Sequence, residues 1–191
     1  MKAGKVYNDF LGNAKYWLKE LEYYGKNQFK QKVEGEVWTI GELYDFLMNG
    51  SYELHFEAIR NCLKKTNGEV KGKKTFIGSI VFSMGSYLPV RIKSAEYSPY
   101  QPQQLENPEK TKDMLYRFIK EMQKLSVDID TAGGNDYAVK HPKFGYLTAI
   151  EWYKVIEMQF KYYLRNKKRM DNSIRSYTKE KSSEEFIDDL H

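Results

Sequence analysis

Cysteine and long apolar runs are scarce in this chain. Its 191 residues include one cysteine, Cys62, which excludes an intrachain disulfide and favours a reducing compartment, the cytoplasm. Cys62 lies late in a helical pattern, where a small core residue is expected. The most apolar run, residues 76–90, is broken by serine and glycine and falls short of the roughly 20 residues that span a membrane. The N-terminal residues lack the apolar core of a signal peptide, so no membrane partner is expected.

A large excess of charge of one sign is also missing. Lysine and arginine number 31 and acidic residues 26, for a formal net charge of +5. No helix face carries a continuous basic stripe, and acidic residues closely follow the basic ones near the C-terminal end. Nucleic acid is therefore not an expected partner. The hydrophobic fraction of 41%, with 15% aromatic residues, excludes a wholly disordered chain.

Apolar residues recur every three or four positions over several segments, which predicts helices. The segments are residues 5–24, 39–65, 76–88, 107–125 and 148–169. No strand pattern of useful length is present, so the expected fold class is all-α, a four-helix bundle with segment 76–88 as an additional packed helix. Long connecting loops are predicted over residues 89–107 and 126–147. A single domain is expected over residues 1–169, followed by a polar, flexible tail over residues 170–191.

The last predicted helix combines a marked start with an unusual buried face. Thr148 and Glu151 form a capping box at its start, as Thr39 and Glu42 do for an earlier helix. One apolar stripe follows the helix, formed by Trp152, Val155, Ile156, Gln159 and Tyr163. Gln159 is the polar member of this stripe, and it must find hydrogen-bond partners or cost about 1–3 kcal/mol.

Two motifs in the chain resemble those of a known family. The first, WTIGELYDFL, begins at Trp38, and the second, HPKFGYLTAIEW, runs from His141 to Trp152. Together they resemble the DinB-like (YfiT-related) superfamily of metal-dependent hydrolases and thiol transferases, over about residues 35–168. The residues that carry the resemblance are Trp38, Thr39, Glu42, His141, Pro142, Phe144, Gly145, Thr148, Glu151 and Trp152.

The resemblance implies a helical bundle with a divalent metal held by three histidines. One histidine lies eight residues after the tryptophan of the first motif, and two lie on the last helix, eight and twelve residues after the glutamate of the second. In this chain those positions are Phe46, Gln159 and Tyr163. Phenylalanine has no lone pair, and glutamine and tyrosine are poor substitutes for imidazole. Neither a metal nor another cofactor is therefore expected.

The three histidines of the chain are not expected to rebuild this site. His55 follows Phe46 by nine residues, about half a turn around an α-helix, so we predict that it faces away from the metal-site positions. His141 lies in a loop before the last helix, where a local hydrogen bond is expected. His191 is the final residue.

Two interpretations of Phe46, Gln159 and Tyr163 stay open. They could line a small-molecule pocket. Alternatively, Phe46 fills the former cavity and Tyr163 bonds to Gln159, which close packing favours. At the level of function, the sequence favours a non-catalytic binding or interaction protein, with a small-molecule ligand of unknown identity or as a homodimer through an exposed helix face. The alternative is a divalent-metal-dependent hydrolase or thiol transferase that uses an altered site.

Overall fold

The structure is a computed structural model that describes residues 1–87, 99–133 and 136–188, with side chains described as far as residue 175. It is mainly helical, as predicted, but it also contains a three-stranded sheet, so the prediction of an all-α fold is wrong in that part. The longer helices are α1 (Ala3–Glu20), α3 (Ile40–Gly50), α4 (Glu57–Lys64), α5 (Phe76–Met84), α6 (Pro108–Ala132) and α7 (Ala149–Asp188). A 3₁₀ turn (Leu21–Tyr23) and the short α2 (Lys26–Lys30) follow α1.

Helices α3 and α4 form one continuous rod, because the π-helical segment Ser51–Phe56 joins them without a break. The predicted helix over residues 39–65 is thus present, but its middle turn is wider than an α-helical turn. Helix α7 packs against α1 and against this rod, and α6 packs along α1. Within the described residues, no helix combines the length and apolar character needed to cross a membrane.

The sheet packs against α4 and α7. Two of its three strands lie mainly in the segment 126–147, which was predicted to be a loop. Its strands are β1 (Gly68–Val70), β2 (Tyr137–His141) and β3 (Gly145–Thr148), all antiparallel in the order β1-β2-β3. Val139 pairs with Leu147 in the hairpin, and Glu69 pairs with Ala138 across the long connection. These strands are too short to give a clear alternating pattern, and β1 finds its partner far along the chain. The prediction of a loop over residues 126–147 is therefore wrong, because the strands in it are too short to be recognised from their sequence.

Helix α5 is less buried than its composition predicts. Thr75 caps its start by accepting a hydrogen bond from Gly78 N, and Gly85 ends it with φ +62°. The exposed fraction of Phe76 is 81%, and Ile77 and Met84 are more than half exposed. The helix approaches the β2–β3 hairpin so closely that a Cβ on Gly78 would lie 2.3 Å from Phe144 O. The additional helix predicted over residues 76–88 is therefore a short, partly exposed helix that packs beside the hairpin. Residues 88–98 lie outside the described part of the chain.

Helices α6 and α7 both extend beyond their predicted ends, residues 125 and 169. Helix α6 continues to Ala132 and ends at Gly133, whose φ is +66°. Helix α7 continues to Asp188, so the predicted domain boundary after residue 169 falls inside a helix. Met170 and Ile174 are buried and continue the apolar face of α7 beyond that boundary.

The extension of α7 depends on a buried lysine. Lys167 has no exposed surface, and its ammonium group lies 2.8 Å from the Glu20 carboxylate and 2.7 Å from that of Asp171. The ammonium group also lies 5.0 Å from the centre of the Tyr24 ring, whose hydroxyl donates to Asp171. Because two carboxylates neutralise it, this lysine can occupy the buried face of the helix. Basic residues are common at the ends of helices, where they oppose the helix dipole, so Lys167 near the predicted end at residue 169 is typical of a helix end in sequence.

Candidate functional site

A cavity of about 420 Å³ lies between the α3–α4 rod, α5, the hairpin and α7. Phe46, Gln159 and Tyr163, the positions at which the resemblance implies metal ligands, all line it. His55 and His141 line the same cavity. The cavity therefore reaches all three predicted positions, while the buried Phe46 and Tyr163 rings contact each other with centroids 5.5 Å apart.

The first motif builds the Phe46 side of the cavity. Glu42 N donates to Thr39 Oγ1 at 3.1 Å and Thr39 N donates to Glu42 Oε2 at 2.7 Å, so the predicted capping box fixes the start of α3. The Phe46 ring, two turns later, lies 4.5 Å from the Trp38 ring and 5.5 Å from the Tyr163 ring, measured between centroids. Position 46 therefore contributes an aromatic ring to the cavity wall and no nitrogen or oxygen atom.

His55 faces the cavity, so the prediction that it faces away is wrong. The prediction assumed 3.6 residues per turn, whereas His55 lies inside the π-helical segment, where each turn takes up more residues. That difference in phase brings His55 into the lining of the same cavity as Gln159 and Tyr163. Nothing in the local sequence marks a π-helical turn, and sequence reasoning therefore missed this residue.

The His55 side chain is buried and makes no hydrogen bond to a described residue. Its exposed fraction is 4%, and its Nδ1 is sealed from solvent without a partner in the described part of the chain. Its ring lies 5.8 Å from the Trp152 ring. Buried polar groups in folded proteins are nearly always hydrogen-bonded, so this imidazole is an exception that calls for an explanation.

The second motif builds the opposite side of the cavity around His141. His141 Nδ1 accepts from Lys143 N at 3.1 Å and from Phe144 N at 3.2 Å, which confirms the predicted local hydrogen bond. Its ring stacks on Phe144, with centroids 4.4 Å apart and planes 12° apart. Gly145 closes the turn with φ +77°, where a Cβ would lie 2.6 Å from Thr75 N. Pro142 lies in this turn and lines the cavity.

The start of α7 holds this hairpin in place. Trp152 Nε1 donates to Val139 O at 3.2 Å, and its ring lies 4.9 Å from the His141 ring. The Glu151 carboxylate accepts from Thr148 N at 2.9 Å and from the Thr148 hydroxyl at 3.1 Å. Glu151 therefore reaches back to the cap as predicted, while the threonine hydroxyl donates to the carboxylate instead of accepting from the helix.

Gln159 is the second polar group without a partner at this site. Its Oε1 is sealed from solvent and accepts no hydrogen bond from a described residue. The Tyr163 hydroxyl therefore does not donate to this oxygen. A polar atom without a hydrogen-bond partner therefore lies on the inward face of α7, and it carries the free-energy cost that the sequence predicts for an unpaired Gln159.

Burial keeps both imidazoles of the cavity neutral. It lowers the pKa of His55 to about 3, and repulsion from His141 adds to the effect. Burial also lowers the pKa of His141 to about 4, with a smaller contribution from Lys143. The accepted hydrogen bonds on His141 Nδ1 leave the proton of its neutral form on Nε2. The buried wall thus carries hydrogen-bonding groups and no ionised imidazole at neutral pH.

The donor set does not fit the metal site that the resemblance implies. Phe46 has no ligand atom, and Gln159 and Tyr163 supply oxygen where a three-histidine site requires imidazole nitrogen. Across the described ranges, no three side chains of His, Cys, Asp or Glu come together as metal ligands would. No chemistry through a metal is derived for this cavity.

No family model, curated protein or solved structure matches this chain significantly.

Proposed function

We propose that this chain is a DinB-like small-molecule-binding protein whose cavity binds an organic ligand without metal chemistry. The observation that carries the proposal is His55, a buried imidazole that lines the cavity and whose Nδ1 has no hydrogen-bond partner among the described residues. Leaving a buried polar group unpaired costs about 1–3 kcal/mol. A ligand towards which the imidazole turns would supply the missing partner and offset that cost, which gives the unpaired group a use.

The size and lining of the cavity support this proposal. Pockets for small molecules measure roughly 300–1,000 Å³ and combine apolar and aromatic walls with a few polar groups that fix orientation. The present cavity has about 420 Å³ and walls that include Phe46, Phe144 and Trp152, while His55 and Gln159 supply polar atoms. The DinB-like motifs place the ligand, under this proposal, where relatives would hold the metal.

A metal-dependent hydrolase or thiol transferase with an altered site is the second candidate. The presence of two histidines, His55 and His141, in one cavity favours it. However, metal binding at His141 would require Nδ1 to give up two backbone hydrogen bonds or Nε2 to give up its proton. Titration with zinc in a calorimeter separates the candidates. We expect no stoichiometric binding, whereas tight one-to-one binding that is lost in His55→Phe would favour the enzyme.

Fluorescence titration with N-phenylnaphthylamine, a neutral apolar dye, tests the proposed binding directly. The dye should bind wild-type protein one to one. Ala58 is buried and lines the cavity, so Ala58→Phe should fill the space and weaken binding at least about tenfold, a loss near 1.4 kcal/mol. Ala132→Phe makes the same change at an exposed helix end and should leave binding unchanged. Unchanged binding in Ala58→Phe, or no binding to wild type, would contradict the proposal.

A further inference from the structure

Flat rings form a continuous series around the cavity. Neighbouring centroids in this series lie between 4.4 and 5.9 Å apart. In order, the rings are Phe46, Tyr163, Tyr162, Tyr87, Phe144, His141, Trp152 and His55. Aromatic side chains prefer stacked or edge-to-face contacts with other rings. A planar aromatic ligand can make such contacts with several members at once.

The polar atoms of the wall include both acceptors and donors. Gln159 Oε1 can only accept, and it has no partner in the described part of the chain. The neutral His55 imidazole has one N–H donor and one acceptor nitrogen, and its Nδ1 has no partner in the described part of the chain. His141 adds an Nε2–H donor, because its Nδ1 accepts from the backbone. A ligand that satisfies these groups carries at least one donor and one acceptor.

The charges around the cavity favour a neutral ligand. Among the described residues, the charged side chains that line the cavity are all exposed, and they are Glu53, Glu57, Lys140 and Lys143, whose formal charges cancel. None of the described buried lining residues supplies a counter-charge. An ion entering this wall would lose its hydration without a paired charge, which is strongly unfavourable.

We infer that the ligand is a neutral heteroaromatic molecule with an N–H donor and a ring acceptor nitrogen, which pair with the Gln159 and His55 side chains while its plane packs on the surrounding rings. The inference rests on the proposed function. It names a ligand class that is distinct from a metal ion, an organic cation and an aromatic acid.

Three probes of nearly equal shape test this class by displacement of N-phenylnaphthylamine. Benzimidazole has a donor and an acceptor, indole has the donor alone, and indene has neither. We expect benzimidazole to bind about fivefold tighter than indole, and indole about fivefold tighter than indene, since each net hydrogen bond contributes roughly one kcal/mol. Apolar character alone predicts the reverse order. Equal affinities, or tightest binding by indene, would overturn the ligand class.

Variants assign the polar contacts to particular residues. His55→Phe keeps a flat ring and removes both nitrogens, so benzimidazole and indole should bind it equally. Gln159→Met keeps the side-chain length and removes the acceptor, so the advantage of indole over indene should disappear. Gln123→Met makes the same substitution on an exposed part of α6 and should preserve the full order. If both cavity variants keep the wild-type order, the assigned contacts are wrong.

Charged analogues test whether the ligand is neutral. Binding of the dye shows whether this inference fails alone or together with the proposed function. N,N′-dimethylbenzimidazolium and indole carboxylate should both bind at least about tenfold more weakly than benzimidazole, because the buried part of the wall formed by the described residues offers neither ion a partner. Tighter binding of either ion would overturn the inference of a neutral ligand. If the dye binds but the probes show no order, the ligand class fails while the binding cavity stands. If the dye does not bind, the proposed function fails as well.

Discussion

Replacing His55 by phenylalanine should stabilise the protein at neutral pH and change its response to acid. The buried imidazole has no hydrogen-bond partner among the described residues. Its removal should therefore recover part of the roughly 1–3 kcal/mol that an unsatisfied buried polar group costs. The adjacent cavity gives the slightly larger ring room, so overpacking should be small. We expect a gain of about 1 kcal/mol in the free energy of unfolding at pH values above about 7.

The gain should increase on acidification. Burial lowers the pKa of His55 to about 3 from an ordinary value of 6.5. Between these values the unfolded chain binds a proton that the folded protein excludes, so stability falls as the pH falls. The loss begins near the unfolded pKa, reaches about 2 kcal/mol at pH ~5, and levels off below the folded pKa. The phenylalanine variant lacks this contribution, so its advantage over wild type should grow by about 2 kcal/mol between pH ~7 and pH ~5.

Urea denaturation, followed by tryptophan fluorescence at a series of pH values, measures both effects. His55→Gln is the matched control, since it keeps a polar group but cannot titrate. It should reduce the acid sensitivity as His55→Phe does, without the gain at neutral pH. A stability difference between wild type and His55→Phe that stays constant on acidification would refute the argument that the folded protein holds His55 neutral.

Three further substitutions test how the fold is held together, each by chemical denaturation. Lys167→Met should destabilise by about 3–5 kcal/mol, because it leaves the Glu20 and Asp171 carboxylates without their cation, whereas Lys168→Met, at an exposed position, should change stability little. Gly145→Ala should cost at least about 1–2 kcal/mol at φ +77°, while Gly12→Ala, with open space around its Cβ, should gain about 0.5–1 kcal/mol; equal effects would contradict the assigned strain. Thr39→Ala should cost about 1 kcal/mol through loss of the α3 cap, and Thr39→Ser should retain it.

Local patterns predicted the features of the fold that depend on near neighbours in sequence. The capping box at Thr39 and the α6 start at Asn107-Pro108 form as expected, because each is set by residues within one helical turn. The buried stripe of α7 also forms, since its period is local. The sheet was missed because β1 is three residues long and pairs with a strand about seventy residues away.

The candidate site was predictable only in part. The motif spacing brought together Phe46, Gln159 and Tyr163, and all three line one cavity. His55 could not be placed, because an α-helical period was applied to a π-helical turn. The end of α7 was misplaced for a different reason. Lys167 looked like a terminal cation, whereas Glu20, distant in sequence, neutralises it in the core.

The π-helical segment Ser51–Phe56 determines how a deletion in the α3–α4 rod would affect the fold. A π-helical turn corresponds to an α-helix that has accepted an extra residue without losing its axis. Loss of that extra residue would restore a regular α-helix and leave α4 close to its present phase, so Ile59 and Cys62 would stay on the buried face. Loss of one residue from the regular helix α3 would instead turn everything beyond it by about 100° and rotate the same side chains out of the core. Single-residue deletions should therefore be tolerated better within Ser51–Phe56 than within α3.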